Sequence, residues 1–390
     1  MSESGGMKII ELVFFDAGGG HRSAANALCE VARREQRPWD MQMMNLQELL
    51  DDMDIFRKIT GLRLQDVYNL MLRRGWTLGS KELLVPMHAI IRLFHSQQVR
   101  GLSKYWRGKA AGEKPDMVVS VVPNFNRALF QATQRALPGV PFVTILTDMA
   151  DYPPHFWLER QGPHYVICGT EHAREQAIAL GHAPERVFLV SGMILNPRYY
   201  EIPPVDRIRE REALGLDPNL PTAIMMFGGA GSAKMVDIAR RLNASALDLQ
   251  IIAICGKNQK LEATLRGLGG RVRIHVEGFT NEVPRFMQLA DFFIGKPGPG
   301  SISEAVAMGL PVIVETNAWT LPQERFNAVW VMQQGVGISL RDFSRGIVDA
   351  TRRMLDPIQR AMFADRVAQM KNRAVFEIPE ILDGILKSHQ

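Results

Sequence analysis

Residues Lys8–Arg34 read KIIELVFFDAGGGHRSAANALCEVARR, and the fold can be read outward from this stretch. Lys8–Asp16 is a near-continuous apolar run, the pattern of a parallel strand covered on both faces. Three glycines follow at once, and Ser23–Arg34 then carries helical spacing. Strand, glycine turn and helix in that order form the opening of an α/β unit. Met117–Pro123, Pro141–Asp148, His164–Gly169 and Arg186–Gly192 repeat the apolar run, with a helix-like segment at Glu171–Leu180.

After Asn196–Asp206 (NPRYYEIPPVD), a proline-rich break, the alternation restarts. Strands are expected at Thr222–Phe227, Leu249–Cys255, Val272–Glu277, Asp291–Gly295 and Pro311–Glu315. Helices are expected near Ser232–Asn243, Asn281–Leu289, Ser301–Met308 and Gln323–Gln333, with a closing helical region at Ile347–Ala374. The expectation is an α/β chain of two doubly wound domains: 1–200, a linker at 201–206, then 207–365. A helical tail over 366–390 is placed so that it can return to the first domain.

Composition agrees with a soluble two-domain protein. The chain has 390 residues, 46% hydrophobic and 22% charged, and domains run to roughly 100–200 residues. Its three cysteines, Cys29, Cys168 and Cys255, are far apart, which speaks against a structural zinc site and fits a reducing compartment. The N-terminus has no apolar signal-peptide core. No apolar run reaches the length of a membrane span.

The net charge of +5 is unevenly placed. Ile55–Lys109 lacks a strand and holds eleven Lys and Arg against two acids, Asp66 and Glu82, a net of +9. Arg73, Arg74 and Trp76 sit in it, with further aromatic and aliphatic residues including Tyr105 and Trp106. A basic surface with apolar residues suits an anionic membrane face. The plain alternative is a solvated insertion whose apolar stripe packs inward. Nucleic acid is the least favoured partner, because no recognition motif accompanies the charge.

Three glycine-rich turns carry the chemistry. Gly18-Gly19-Gly20-His21 opens the first helix, and helix N-termini favour negative charge. Gly18, Gly20 and Asp40 partly match a dinucleotide fingerprint, but Ser23 replaces the third glycine. His21 is placed for general-base work or for bonding its own loop. Gly229-Ala230-Gly231-Ser232 and Gly298-Pro299-Gly300-Ser301 repeat the arrangement, and two such helix starts can hold a diphosphate without a metal. Glu304, one turn into its helix, suits ribose hydroxyls or simply the helix dipole. Gln323, Glu324 and Asn327 suit hydroxyl recognition. Phe279-Thr280 can frame a flat base, and Lys257 and Lys296 can meet phosphate.

The segments DAGGGHRSAANAL, VTILTDMADYPPHFW, GTEHAREQAIALG, VSGMILNPRYY, FGGAGS, ICGKN, GFTNEVPRFMQLAD, KPGPGSISEAVAMGLPVI and PQERFNAV, in this order, resemble the monogalactosyl/monoglucosyl-diacylglycerol synthase family, in the group of MurG. The resemblance covers roughly residues 7–340. It implies a GT-B fold, two Rossmann-like domains facing a central cleft. It also implies inverting, metal-independent transfer from a UDP-sugar to a membrane lipid, with no cofactor. Diacylglycerol is the leading acceptor, and a different lipid-linked or soluble acceptor is the alternative. By the resemblance, Phe279 and its neighbours frame uracil, Glu304 holds the ribose, and the second and third glycine turns hold the diphosphate. Gln323, Glu324 and Asn327 then read the sugar. His21 matches the proposed base and Asp148 a group that could orient it, while Gly19, Gly20, His155 and Trp157 fall at the acceptor. Here the chain reads PPHFW rather than the family's HPTWF-like stretch. The segment 55–109 corresponds to the membrane-docking insertion, so the expected location is cytoplasmic, peripheral on the inner face of the cell membrane. A UDP-sugar epimerase, a dinucleotide-dependent oxidoreductase and a non-catalytic sensor are the competing functions.

Overall fold

The computed structural model describes residues 6–16, 20–51, 93–160, 162–318 and 320–389. The chain forms two compact units. One comprises Met1–Pro197, Leu321–Gln323 and Arg373–Gln390, the other Arg198–Thr320 and Glu324–Asn372.

The first unit holds a six-stranded sheet of β1 (Lys8–Phe14), β2 (Trp39–Asn45), β3 (Met117–Ser120), β4 (Phe142–Ile145), β5 (Tyr165–Cys168) and β6 (Val187–Leu189). All pairings are parallel, in the order β2-β1-β3-β4-β5-β6. β3 and β4 are buried at every position, as expected for a sheet covered on both faces. β2 (WDMQMMN) was absent from the sequence-based strands. As an edge strand it is only half covered, so it has no continuous apolar run to betray it.

Helix Gly20–Arg34 lays Ala24, Ala25, Ala27, Leu28, Val31 and Ala32 on the sheet, and Arg33 and Arg34 complement the negative end of its dipole. The closing helix Ala374–Ser388 packs on it. Arg37 bonds Glu380 and the Pro379 carbonyl, and the Glu377 carboxylate accepts from the Ser191 amide at 2.7 Å.

Of the basic segment, only residues 93–109 are described; Arg73, Arg74 and Trp76 lie outside the described residues. The described end corrects part of the surface reading. Helix His95–Gly108 buries Trp106 completely, and its indole N–H donates to Glu11 in the middle of β1. The Tyr105 hydroxyl and the Lys109 ammonium donate to the same carboxylate at 2.8 and 2.6 Å. A buried carboxylate needs such partners. These three residues therefore belong to the unit's interior rather than to an exposed basic-aromatic face.

The second unit repeats the plan with β7 (Thr222–Met226), β8 (Gln250–Ile254), β9 (Ile274–Glu277), β10 (Phe292–Gly295), β11 (Val312–Glu315) and β12 (Gly337–Leu340). The order is β12-β11-β10-β7-β8-β9, again all parallel. The edge strand β12 was also missed; it is only four residues long, GISL. Strand order reverses between β1 and β3 in the first sheet and between β7 and β10 in the second. Ligands of open α/β sheets bind beyond the strand ends at such points.

Candidate active site

His21 is the second residue of helix Gly20–Arg34, which opens three residues earlier than its apolar spacing indicated; Gly18 and Gly19 lie outside the described residues. The imidazole meets the ends of two other strands. Its Nδ1 lies 3.0 Å from Oγ1 of Thr147, two residues past β4. The backbone carbonyl of Val121, one residue past β3, is also within reach of the ring. The Trp157 ring centre is 6.0 Å away. Desolvation lowers the pKa of His21 to about 4, only partly opposed by the Val121 carbonyl. The ring is therefore neutral at physiological pH and able to accept a proton. Because the folded pKa is depressed, the stability tied to the neutral ring is complete above about 6.5 and is lost as pH falls toward 4.

Asp148, one residue on from Thr147, meets the Trp157 ring. Its Oδ2 accepts from the Trp157 indole at 2.9 Å. Trp157 itself is 1% exposed, so it forms a wall beside His21 rather than an open acceptor surface. Asp151 organises the rest of the loop. It accepts from the backbone N–H groups of His155 (2.9 Å), Trp157 (2.6 Å) and Leu158 (3.4 Å). Asn126 adds a 3.0 Å bond to the Trp157 carbonyl. His155 is held at a φ of 65°, unusual for a non-glycine residue, with Nδ1 3.3 Å from the Leu158 carbonyl. Thr147 and Asp151 are the residues that sequence reasoning passed over, although both lie within the quoted TDMAD run.

In the second unit, the turn Gly228–Ser232 follows β7 and the run Lys296–Gly298 follows β10, so both stand at the switch point. Helix Pro299–Ala307 starts with Gly298 as its cap residue, supplying no side-chain acceptor; Pro299 has no N–H, so Gly300 and Ser301 present the first-turn donors. At the other turn the helix begins at Lys234, later than expected. Gly229–Ser232 is consequently loop, with the Gly229 carbonyl accepting from Lys257 N at 2.9 Å and Ser232 Oγ from Lys234 N at 3.3 Å.

Lys296 lies between the two turns. Its Cε is 3.5 Å from where a Cβ of Gly228 would sit and 3.3 Å from that of Gly298, and its Nζ is 2.7 Å from Glu324 Oε1. It is the cation best placed toward both turns. Lys257 instead lies 5.1 Å from the ring centre of Phe279, which is 61% exposed. Thr280 Oγ1 accepts from Glu282 N at 2.9 Å and so shapes the turn beneath that ring. Asn327 departs from the expected sugar-reading role: it is fully buried and its amide donates to the Pro297 carbonyl at 2.7 Å, bracing the loop. Gln323 and Glu324 are buried as well, on a 3-10 turn ahead of helix Arg325–Gln334.

Glu304 keeps some solvent contact as a residue, but its carboxyl end is enclosed. Desolvation raises its pKa to about 7, against the pull of the Tyr199 hydroxyl and the nearby Arg198. Tyr199 and Arg198 belong to the NPRYY break, which the residues alone presented as a linker. Raised in the fold, this carboxyl contributes most to stability below about 4.5, a contribution lost as pH rises through about 7.

Gly256 supports the first of these turns. Its φ is +60°, and a Cβ there would lie 2.3 Å from the Gly229 carbonyl oxygen. Gly256→Ala is expected to cost about 1–2 kcal/mol for the left-handed backbone alone, with the backbone clash added. A lowered melting temperature would report it; an unchanged melting temperature would contradict the packing described.

Residues 223–377 match the glycosyltransferase family 28 C-terminal domain. The "Probable monogalactosyldiacylglycerol synthase 2, chloroplastic" of Oryza sativa subsp. japonica is 29% identical over 355 residues, covering 86% of this chain and 71% of the relative. The chain is a glycosyltransferase with the GT-B fold. MurG of Acinetobacter baumannii superposes with a TM-score of 0.58 at 13% identity, over 97% of this chain and 99% of its own. The UDP-GlcNAc 2-epimerase of Neisseria meningitidis does so at 0.56 and 13%, over 96% and 99%. Backbone likeness is thus shared by transferases and epimerases, and the family match and the relative decide between them.

Proposed function

We propose that this glycosyltransferase moves a hexose from a UDP-sugar to the hydroxyl of a membrane lipid, with diacylglycerol the leading acceptor. The product is a monoglycosyl-diacylglycerol. The observation that carries this reading is the similarity to a monogalactosyldiacylglycerol synthase over 86% of the chain, spanning both units. Transfer is a single displacement that inverts the sugar carbon. The acceptor hydroxyl attacks, its proton passes to His21, and the bond to the diphosphate breaks with its electron pair leaving on UDP. The first-turn N–H groups of helix Pro299–Ala307 and the Lys296 ammonium suit the charge growing on that leaving group, so the reading needs no metal. Glu304 suits the ribose, and the open face of Phe279 suits the uracil.

Diacylglycerol vesicles incubated with UDP-glucose, UDP-galactose, UDP-N-acetylglucosamine and UDP-glucuronate, followed by product mass, test the reading. A monoglycosylated lipid formed in the presence of a chelator, with the anomeric configuration inverted, is the expected result. UDP-sugar consumed without any lipid product would move the assignment to a different acceptor. The departure at PPHFW favours keeping that alternative in the panel, as a lipid-linked or soluble hydroxyl.

Among the described residues no helix is long and apolar enough to cross a membrane. We place the protein peripherally on the inner face of the cell membrane, through the basic segment 55–92. Each well-placed Lys or Arg contributes about 1 kcal/mol near an anionic surface. Arg73→Glu with Arg74→Glu is expected to lower activity on anionic vesicles well beyond any change on detergent-dispersed acceptor. Equal losses in both assays would remove these arginines from the membrane contact.

A further inference from the structure

We infer that Thr147 is the positioning residue for His21: its hydroxyl oxygen accepts the Nδ1–H proton and leaves Nε2 free toward the acceptor hydroxyl. The inference rests on the transferase reading for the role of His21, but its structural half stands independently. The Nδ1–Oγ1 distance is 3.0 Å, a full hydrogen bond. The neighbouring carboxylate that could have taken this place, Asp148, directs Oδ2 to the Trp157 indole at 2.9 Å, and Trp157 is in turn held by Asp151 and Asn126. A neutral hydroxyl thus stands at Nδ1 of the imidazole.

A ring nitrogen can act as a base only if its partner nitrogen carries the proton. Two arrangements compete here. In one, Nδ1–H donates to Thr147 and Nε2 is the free base. In the other, Nε2 carries the proton, the Thr147 hydroxyl donates to Nδ1, and the ring has no free nitrogen. The position of His21 at the helix start, facing the β1/β3 switch point, favours the first, since ligands enter there. In the transfer step Nε2 takes the acceptor proton while Nδ1 keeps its own, giving an imidazolium that Thr147 continues to hold. The ring then returns its proton to solvent after UDP departs.

The test uses the full chain with 15N-labelled histidine. Long-range 1H–15N correlation of the His21 ring is expected to show the Nδ1–H tautomer in the wild type and a shift toward Nε2–H in Thr147→Val. The Nε2–H tautomer in the wild type would overturn the inference whatever the enzyme transfers. Thr147→Val should lower kcat by about tenfold or more, a part of what general-base catalysis supplies, with UDP affinity and melting temperature unchanged. Thr147→Ser, which keeps the hydroxyl, should recover kcat to within about threefold of wild type. Equal losses in the Val and Ser variants would show that Thr147 only fills space. A wild type inactive on every acceptor but showing Nδ1–H would sink the transferase reading and leave the contact standing.

Discussion

His21→Ala is expected to lower turnover by about 10²–10⁴-fold, the range for a positioned general base, while leaving UDP affinity close to wild type. The side chain sits at the start of a helix whose buried face is made by other residues, so its loss should not unfold the unit. The pH profile sharpens the expectation. With its pKa lowered to about 4, His21 should contribute an acid limb in kcat/KM near 4 rather than near the ordinary 6.5 of a histidine. Titration of the ring by NMR gives the same number without turnover. A ring that titrates near 6.5, or a His21→Ala variant with near-wild-type turnover, would make the histidine structural.

Removing the Glu304 carboxylate is expected to weaken UDP binding by about 10- to 150-fold, the equivalent of a charge-assisted hydrogen bond of roughly 1.5–3 kcal/mol. Glu304→Ala removes one of the Tyr199 hydroxyl's partners, Arg198 being the other, so Glu304→Gln serves beside it as the variant that keeps the shape. The carboxyl is protonated up to about pH 7 in the free protein. UDP affinity in the wild type should therefore rise as pH increases through about 7, beyond the part common to Glu304→Gln, which reports the ionisation of UDP itself. In kcat/KM this gives a second limb near 7 that disappears in the variant, leaving the one near 4. Calorimetry showing equal UDP affinity in wild type and both variants would take Glu304 out of the donor site.

Central strands were legible because parallel strands buried on both faces must be continuously apolar, as in Lys8–Asp16 or Thr222–Phe227. The edge strand β2 was not, since exposed and half-buried positions break up its apolar run, and β12 is only four residues long; the edges β6 and β9 were still read. The site divided in the same way. The glycine turns could be read because glycine takes the left-handed backbone found at Gly228, Gly231 and Gly256 without steric cost, a requirement of the local chain. Asn327 misled because a polar residue at the start of a helix looks the same whether it faces a ligand or braces a loop; its bond to the Pro297 carbonyl spans 30 positions. Trp106 and Lys109 misled because a basic, aromatic helix looks like a membrane face until a buried Glu11 is seen to need its donors.

The amino-acid sequence by itself determined that the chain is two doubly wound α/β halves with glycine turns at strand ends, because strand burial, helix spacing and left-handed turns are set by neighbours along the chain. Only the tertiary structure decided which polar atoms meet. It paired His21 with Thr147 across 126 positions and turned the adjacent Asp148 to Trp157. It set Lys296 between two turns, and it enclosed Glu304 until its proton is held to about pH 7. Hydrogen-bond partnership and desolvation depend on what the fold brings within a few ångströms, and spacing along the chain carries no record of that.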